Sequence, residues 1–284
     1  MISDKQTNFV YFSQYLKEKH SEIFNNIAAI LNNNGVGYEI IKGNNNNDIW
    51  ARDYMPIQTH QNRFVKFKYE PSYINKKIDF MSDYIKICNE LLRESTIVYS
   101  DINLDGGNVV KWEDKVMISD RIFTENTQYS DKNQLVNELA ELLQTEVIII
   151  PQINCDFTGH ADGMVKFLNS KWILVNDLEL EFKYWSSKMK KLIPEKGLEY
   201  VNMPFFEYKE KQYSSSAIGC YVNYLEVGNL IIFPIFEVQD NKDDECLELM
   251  AKCYPKHKIE PININDIVRK GGGLMNCISW NVLK

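Results

Sequence analysis

NVVKWEDKVMISDRIFTENTQYSDKNQLVNELAELLQTEVIII, residues 108–150, reads as a strand at Asn108–Trp112, a second at Val116–Ser119, a helix at Asn133–Leu143 and a third strand at Glu146–Ile150. The same order recurs on both sides of it. Upstream come Tyr54–Gln58, Phe64–Tyr69, a helix near Phe80–Leu92 and Thr96–Tyr99. Downstream come Met164–Leu168, Trp172–Val175, a helix near Glu181–Leu192 and Glu199–Asn202. A fourth unit has Cys220–Val227, Leu230–Ile235, a helix near Asp243–Cys253 and Lys258–Pro261. The strand pairs start about 55 residues apart, a self-similarity that marks closed repeat architectures. A fifth unit begins at Leu274–Trp280, where the chain ends. Its missing helix and last strand are expected from the N-terminus, with Phe9–Leu31 as helix and Gly37–Ile41 as strand. Splitting one unit between the termini closes a five-membered ring of ββαβ units. Any α/β protein alternates elements, so periodicity alone also admits an ordinary α/β fold. No Pro/Gly/Ser-rich linker interrupts the pattern, and one domain is expected over residues 1–284. Asn44–Asn47 reads as a polar surface turn, with Asp48 as a cap or turn residue.

The balance of 44% hydrophobic and 25% charged residues is that of a globular chain with ample core. No run of about 18 apolar residues suggests a membrane span. The first residues lack a secretory pattern, so a cytoplasmic location is expected. A net charge of −7, without a basic stripe beside stacking aromatics, argues against nucleic acid and suits a cationic small molecule. The six cysteines form no CxxC pair and no Cys/His metal spacing, and read as mostly reduced, buried hydrophobes.

Chemically loaded residues gather just before the first strand of each unit. They are Asp53, Asp105 (followed by Gly106-Gly107), His160 and Asp162 (followed by Gly163), and Cys277 (after Gly271-Gly272-Gly273). Equivalent strand ends in a pseudo-symmetric ring point to its centre, so distant segments share one pocket, and glycines let backbone approach closely. Each residue also has a plainer reading. Cys277 alone suits a buried thiol, and Cys155 is a rival nearer His160 in sequence. Asp53 beside Arg52 suits a surface ion pair. Asp105-Gly106 suits a turn, and Trp50 suits packing or an aromatic wall beside a delocalised cation. In an extended Gly159–Gly163 segment, alternation places His160 and Asp162 on one side. Together, carboxylates, one histidine and one cysteine imply a thiol nucleophile working on a planar cation such as guanidinium, gripped by bidentate acids. Metal-assisted hydrolysis is less well supported, because a single His with scattered Asp lacks ligand spacing.

Four segments resemble the guanidino-group-modifying superfamily of pentein fold, agmatine deiminases and bacterial peptidylarginine deiminases above all. They are Asn47-Asp48-Ile49-Trp50-Ala51-Arg52-Asp53, Leu104-Asp105-Gly106-Gly107-Asn108, Gly159-His160-Ala161-Asp162 and Gly271-Gly272-Gly273-Leu274-Met275-Asn276-Cys277. Asn223 matches a further family position. The resemblance implies a five-bladed α/β-propeller whose Asp53 and Asp162 bind guanidinium nitrogens, with Trp50 and Asn223 also at the substrate. It implies a covalent amidino-thioether on Cys277, His160 as acid and then base, and Asp105 orienting His160. Asp105 stands where the family often has the longer Glu, and Asn276 where agmatine deiminases place a His. No metal or other cofactor is implied. Agmatine, free arginine and a peptidyl arginine all fit as substrate, and subunit association is open. An amidinotransferase with the same intermediate, or a non-catalytic guanidinium-binding protein, are the alternatives.

Overall fold

The structure is a computed structural model describing residues 1–42, 48–74, 84–208 and 216–284. The expected Asn44–Asn47 turn and the start of the helix expected near Phe80 lie outside these residues. Strand β1 (Phe9–Ser13) leads through helices α1 (Gln14–Lys19) and α2 (Ser21–Asn33) to β2 (Gly37–Ile41), and a helical turn, α3 (Ala51–Tyr54), follows. The next unit holds β3 (Ile57–His60), β4 (Arg63–Lys68), α4 (Tyr84–Leu91) and β5 (Thr96–Asn103). After it come β6 (Val109–Lys111), β7 (Lys115–Ser119), α5 (Arg121–Glu125), α6 (Lys132–Leu143) and β8 (Glu146–Ile150). Another unit contains β9 (Val165–Phe167), β10 (Trp172–Asn176), α7 (Lys183–Glu195) and β11 (Glu199–Met203). The chain ends with β12 (Leu225–Val227), β13 (Leu230–Ile235), α8 (Asp243–Cys253), β14 (Lys258–Asn263), α9 (Asn265–Gly271) and β15 (Ser279–Val282).

These strands form five three-stranded sheets with one wiring. A short first strand runs antiparallel to a central strand, as in β6–β7, and the central strand runs parallel to a third, as in β7–β8. A parallel pair cannot be joined by a tight turn, so a helix crosses between its strands. In α6 the crossover is legible residue by residue. Asp131 accepts a hydrogen bond from the Asn133 N–H and caps the start. Leu135, Leu139 and Leu143 recur every four residues and are fully buried.

The first strands meet on an axis. Lys111 of β6 and Lys166 of β9 both hold the buried Asp4 carboxylate. Asn281 of β15 donates to Asp4 Oδ1 at 3.1 Å and to the Glu226 carbonyl of β12 at 2.8 Å. Burial alone would raise the Asp4 carboxyl, but the two ammonium groups hold it well below the usual carboxylate range.

The closing blade corrects the sequence reading. Phe9–Ser13 is not the start of a helix but the central strand β1, antiparallel to β15 and parallel to β2. Phe-Val-Tyr-Phe suits a pleated, buried surface, and the helix starts only where extended Ser13 accepts a hydrogen bond from the Tyr15 N–H. The C-terminus therefore contributes one strand and the N-terminus the other two with their helices. Elsewhere the first strands are shorter than read. Tyr54, Met164, Cys220–Tyr224 and Leu274–Ile278 belong to the turns and loops that precede them.

Candidate active site

In four blades a tight turn enters the first strand, and each turn carries chemistry. Asp53 lies in α3, and Asp105 immediately precedes a 3-10 turn at Gly106–Asn108. His160 immediately precedes another at Ala161–Gly163, which contains Asp162. Cys277 lies in a turn closed by the Ile278 N–H on the Leu274 carbonyl at 3.3 Å. His160 and Asp162 are thus brought together by a turn, not by strand alternation. Asn108 locks two of these turns to each other, its Oδ1 accepting from the N–H groups of Ser119 (2.9 Å) and Ala161 (3.1 Å).

Gly107 is the point on which the groups converge. A Cβ there would stand 2.5 Å from Asp53 Oδ1, 2.7 Å from His160 Nδ1 and 3.3 Å from Asp162 Oδ2. The Gly107 N–H donates to Asp53 Oδ1 at 2.9 Å, and His160 Nδ1 lies 3.7 Å from the same oxygen. On its other side His160 Nε2 contacts Asp105 Oδ2 at 2.8 Å. Nε2 therefore carries the proton toward Asp105, leaving Nδ1 facing the two other acids. Asp162 Oδ2 accepts from Asn276 Nδ2 at 2.7 Å and lies 3.7 Å from Cys277 Sγ. The Asn223 carboxamide rests against the sulfur, Nδ2 at 3.2 Å and Oδ1 at 3.4 Å. Thiol and imidazole thus flank one carboxylate. Among the described residues, Asp53 Oδ2 and Asp162 Oδ1 accept no hydrogen bond from protein. Gly107→Ala is expected to push Asp53 and His160 apart and to lower turnover by about 100-fold, with the thermal midpoint recorded alongside; full activity would remove Gly107 from the centre.

Arg52 plays another part than its plainer reading gave it, while Trp50 packs as its plainer reading expected. Arg52 is no surface partner of Asp53. It is buried, donating from Nη2 to Asn281 Oδ1 at 2.7 Å and from Nε to the Asn276 carbonyl at 3.3 Å. Its backbone N–H donates to the Cys277 carbonyl at 3.1 Å, so it braces the thiol turn. Trp50 packs into the triple-glycine turn, where a Cβ on Gly271 or on Gly273 would come within 2.3 Å of the ring. Those glycines admit the indole as well as shaping the turn. The rival thiol, Cys155, is exposed.

Burial and charge set the protonation states. Burial would lower the His160 pKa, but Asp53 and Asp105 raise it to about 10. Burial raises Asp53 to about 8, against the pull of His160. These two shifts oppose one another, since a protonated Asp53 would hold an imidazolium less well. The Gly107 N–H favours the ionised Asp53, so the imidazolium–carboxylate pair is the state the geometry suits. Burial pushes the Cys277 thiol well above its ordinary value, and Asp162 and Asp53 push it further. Burial likewise raises Asp162, opposed by His160 and Asn276.

Sequence reasoning missed Tyr73, whose hydroxyl reaches Asp105, because nothing in the Pro71–Ile74 loop marks it. A depression of about 320 Å³ between Asn34, Gly228, Lys256 and Lys258 lies at the opposite strand ends and contains none of these groups. Among the described residues, no helix is long and apolar enough to cross a membrane.

Comparison with known proteins gives the chain a family and relatives of the same fold. The family model described as Porphyromonas-type peptidyl-arginine deiminase matches residues 2–282. Among solved structures, an agmatine deiminase variant from C. jejuni with substrate bound superposes with a TM-score of 0.78 at 19% identity, covering 100% of this chain and 96% of that one. The agmatine deiminase of Enterococcus faecalis gives 0.76 at 17% identity, covering 100% and 95%. At such identities these likenesses speak for the fold alone. Two curated proteins that carry the agmatine deiminase name provisionally also match. One, from Listeria monocytogenes, is 37% identical over 30% of this chain and 21% of its own length. The other, from Photobacterium profundum, is 25% identical over 70% and 62%. The chain thus spans under two thirds of these relatives.

Proposed function

The chain belongs to the Porphyromonas-type peptidyl-arginine deiminase family, and from that premise we propose that it hydrolyses a guanidinium compound to a ureido product and ammonia. The observation that carries this reading is the convergence of Asp53, His160 and Asp162 on Gly107, with Cys277 Sγ 3.7 Å from Asp162. A guanidinium is planar and permanently charged, so it takes paired carboxylates in fixed directions. Asp53 Oδ2 and Asp162 Oδ1 supply them.

The free site holds its thiol protonated, because burial disfavours a thiolate and two nearby acids repel it. A bound guanidinium reverses that field and favours the thiolate, whose proton passes to solvent, where the released ammonia later takes it up as ammonium. Sγ then bonds to the guanidinium carbon, and His160 passes a proton from Nδ1 to one nitrogen, which leaves as ammonia. An amidino-thioether remains on Cys277. Water adds to the same carbon as His160 takes one of its protons, the S–C bond breaks, and the ureido product departs as its remaining hydroxyl proton returns to the sulfur. The sum is one guanidinium and one water giving one urea group and one ammonium, with no oxidant or reductant. Asp105 keeps the imidazole oriented for both transfers. Asn223 and Asn276 seat the sulfur and Asp162, and Trp50 secures the turn carrying Cys277. Residues 1–284 act in this reading as a single catalytic domain.

Agmatine, free arginine and an arginine-containing peptide assayed in parallel for ammonia, with the ureido product identified by mass, test the reading. One of the three is expected to yield both products in equal amounts. Release from none, or transfer of the amidine to an added amine in preference to water, would overturn it.

A further inference from the structure

Tyr73 stands outside the residues just assigned, yet its hydroxyl donates to Asp105 Oδ2 at 2.7 Å, the oxygen that also holds His160 Nε2 at 2.8 Å. The same hydroxyl lies 3.4 Å from Nε2 itself. Tyr73 comes from the loop after β4, in a different blade from either partner, so the contact is no by-product of local turn geometry. That loop is tied down. Glu125 of α5 accepts from the Ser72 N–H at 3.0 Å and from its hydroxyl at 2.7 Å. Arg121 Nη2 donates to the Ser72 hydroxyl at 3.1 Å, and the guanidinium carbon lies 5.4 Å from the centre of the Tyr73 ring. Phe157 meets the ring edge-on at 5.1 Å, and His160 itself is 5.9 Å away. Helix α5 and the loop carrying Phe157 thus hold a phenol against the acid–imidazole pair.

We propose that Tyr73 is a positioning residue for His160, acting through Asp105: it fixes the shared carboxylate oxygen and moderates how strongly that oxygen holds the imidazolium proton. An aspartate reaches less far than a glutamate, so a single carboxylate oxygen taking two donors that lie only 3.4 Å from each other has its direction set by both. A hydroxyl donating to a carboxylate disperses its charge and lowers its basicity. Burial and Asp105 keep the phenol well above its ordinary pKa, so it remains a donor throughout the working range. The groups that face His160 and bear on its proton are Asp53, Asp105 and Asp162, with Tyr73 from its own loop. Arg121, over the Tyr73 ring, is paired with Glu125 at 2.8 Å.

This inference rests on the deiminase reading, and its test separates the two. Tyr73→Phe keeps the ring, its Phe157 and Arg121 contacts and the fold, and removes only the hydroxyl. With whichever guanidine the wild type consumes, kcat is expected to fall about tenfold and KM to stay within about twofold. The more basic Asp105 should move the alkaline limb of the rate profile up by about half a pH unit. Nitrogen NMR of the His160 imidazole should show the same upward displacement in the free protein, where no turnover is needed. A variant with wild-type kcat and superimposed imidazole titrations would overturn the role of Tyr73. A wild type inert toward every guanidine would overturn the deiminase reading instead, while the titration still judged Tyr73.

Discussion

Cys277→Ala is expected to lower ammonia release from the preferred guanidine by about 10⁴-fold or more while leaving its affinity within a few-fold of the parent. The two effects separate because different atoms govern them. In the proposed reading sulfur makes the covalent bond, and the side chain against it, Asn223 with Nδ2 3.2 Å from Sγ, is a neutral amide that cannot take its place. In the same reading Asp53 and Asp162 hold the cation, and the substitution leaves both in place. Removing the thiol also removes a group whose ionisation burial and the two acids oppose. Isothermal titration of the variant with substrate, beside a coupled ammonia assay, measures both quantities. Parental turnover in the variant would exclude Cys277 as nucleophile. Cys155→Ala, altering an exposed thiol, serves as the control and should change neither.

His160→Asn should slow turnover by about 10²–10⁴-fold, the usual span for a lost acid–base group, and should also alter how stability depends on pH. The sign follows from the proton balance. A histidine whose folded pKa is raised from 6.5 to about 10 stabilises the fold fully below about 6.5 and loses that contribution as pH rises through about 10. Its charge is the counterweight to Asp53, Asp105 and Asp162, all buried with it. The variant lacks this contribution at every pH. The stability gap between parent and variant is therefore expected to be wide at pH 7 and to shrink toward pH 10.5, read from denaturant unfolding at both. A gap that stayed constant would mean that the imidazole is neutral in the folded protein at pH 7. Unimpaired ammonia release would remove it from the proton transfers.

The ring was legible in the sequence because each blade repeats one physical problem. A hairpin buries its first strand, a helix covers the parallel return, and alternation of periods 2 and 3.6 betrays both. Glu146–Ile150, Leu230–Ile235 and Asp243–Cys253 stand in the structure with the limits their apolar pattern predicts. The pattern failed at Phe9–Leu31, where a strand of aromatic and β-branched residues runs directly into an amphipathic helix and only the Ser13 cap divides them. Chemical grouping was legible too, since Asp53, Asp105, His160, Asp162 and Cys277 stand at equivalent phases of the repeat.

Sequence alone thus determined the five-unit ring and which residue types face its centre. Tertiary structure decided the contacts that hydrogen bonding and charge make specific: which oxygen of Asp105 takes His160, and that Tyr73 shares it. It also decided that Arg52 braces the thiol turn, and that Trp50 needs Gly271 and Gly273 bare. The division has one cause. Periodicity is a property of neighbours along the chain, whereas a hydrogen bond between blades depends on ångström-scale closure of segments 32 to 229 residues apart, and no local pattern encodes that distance.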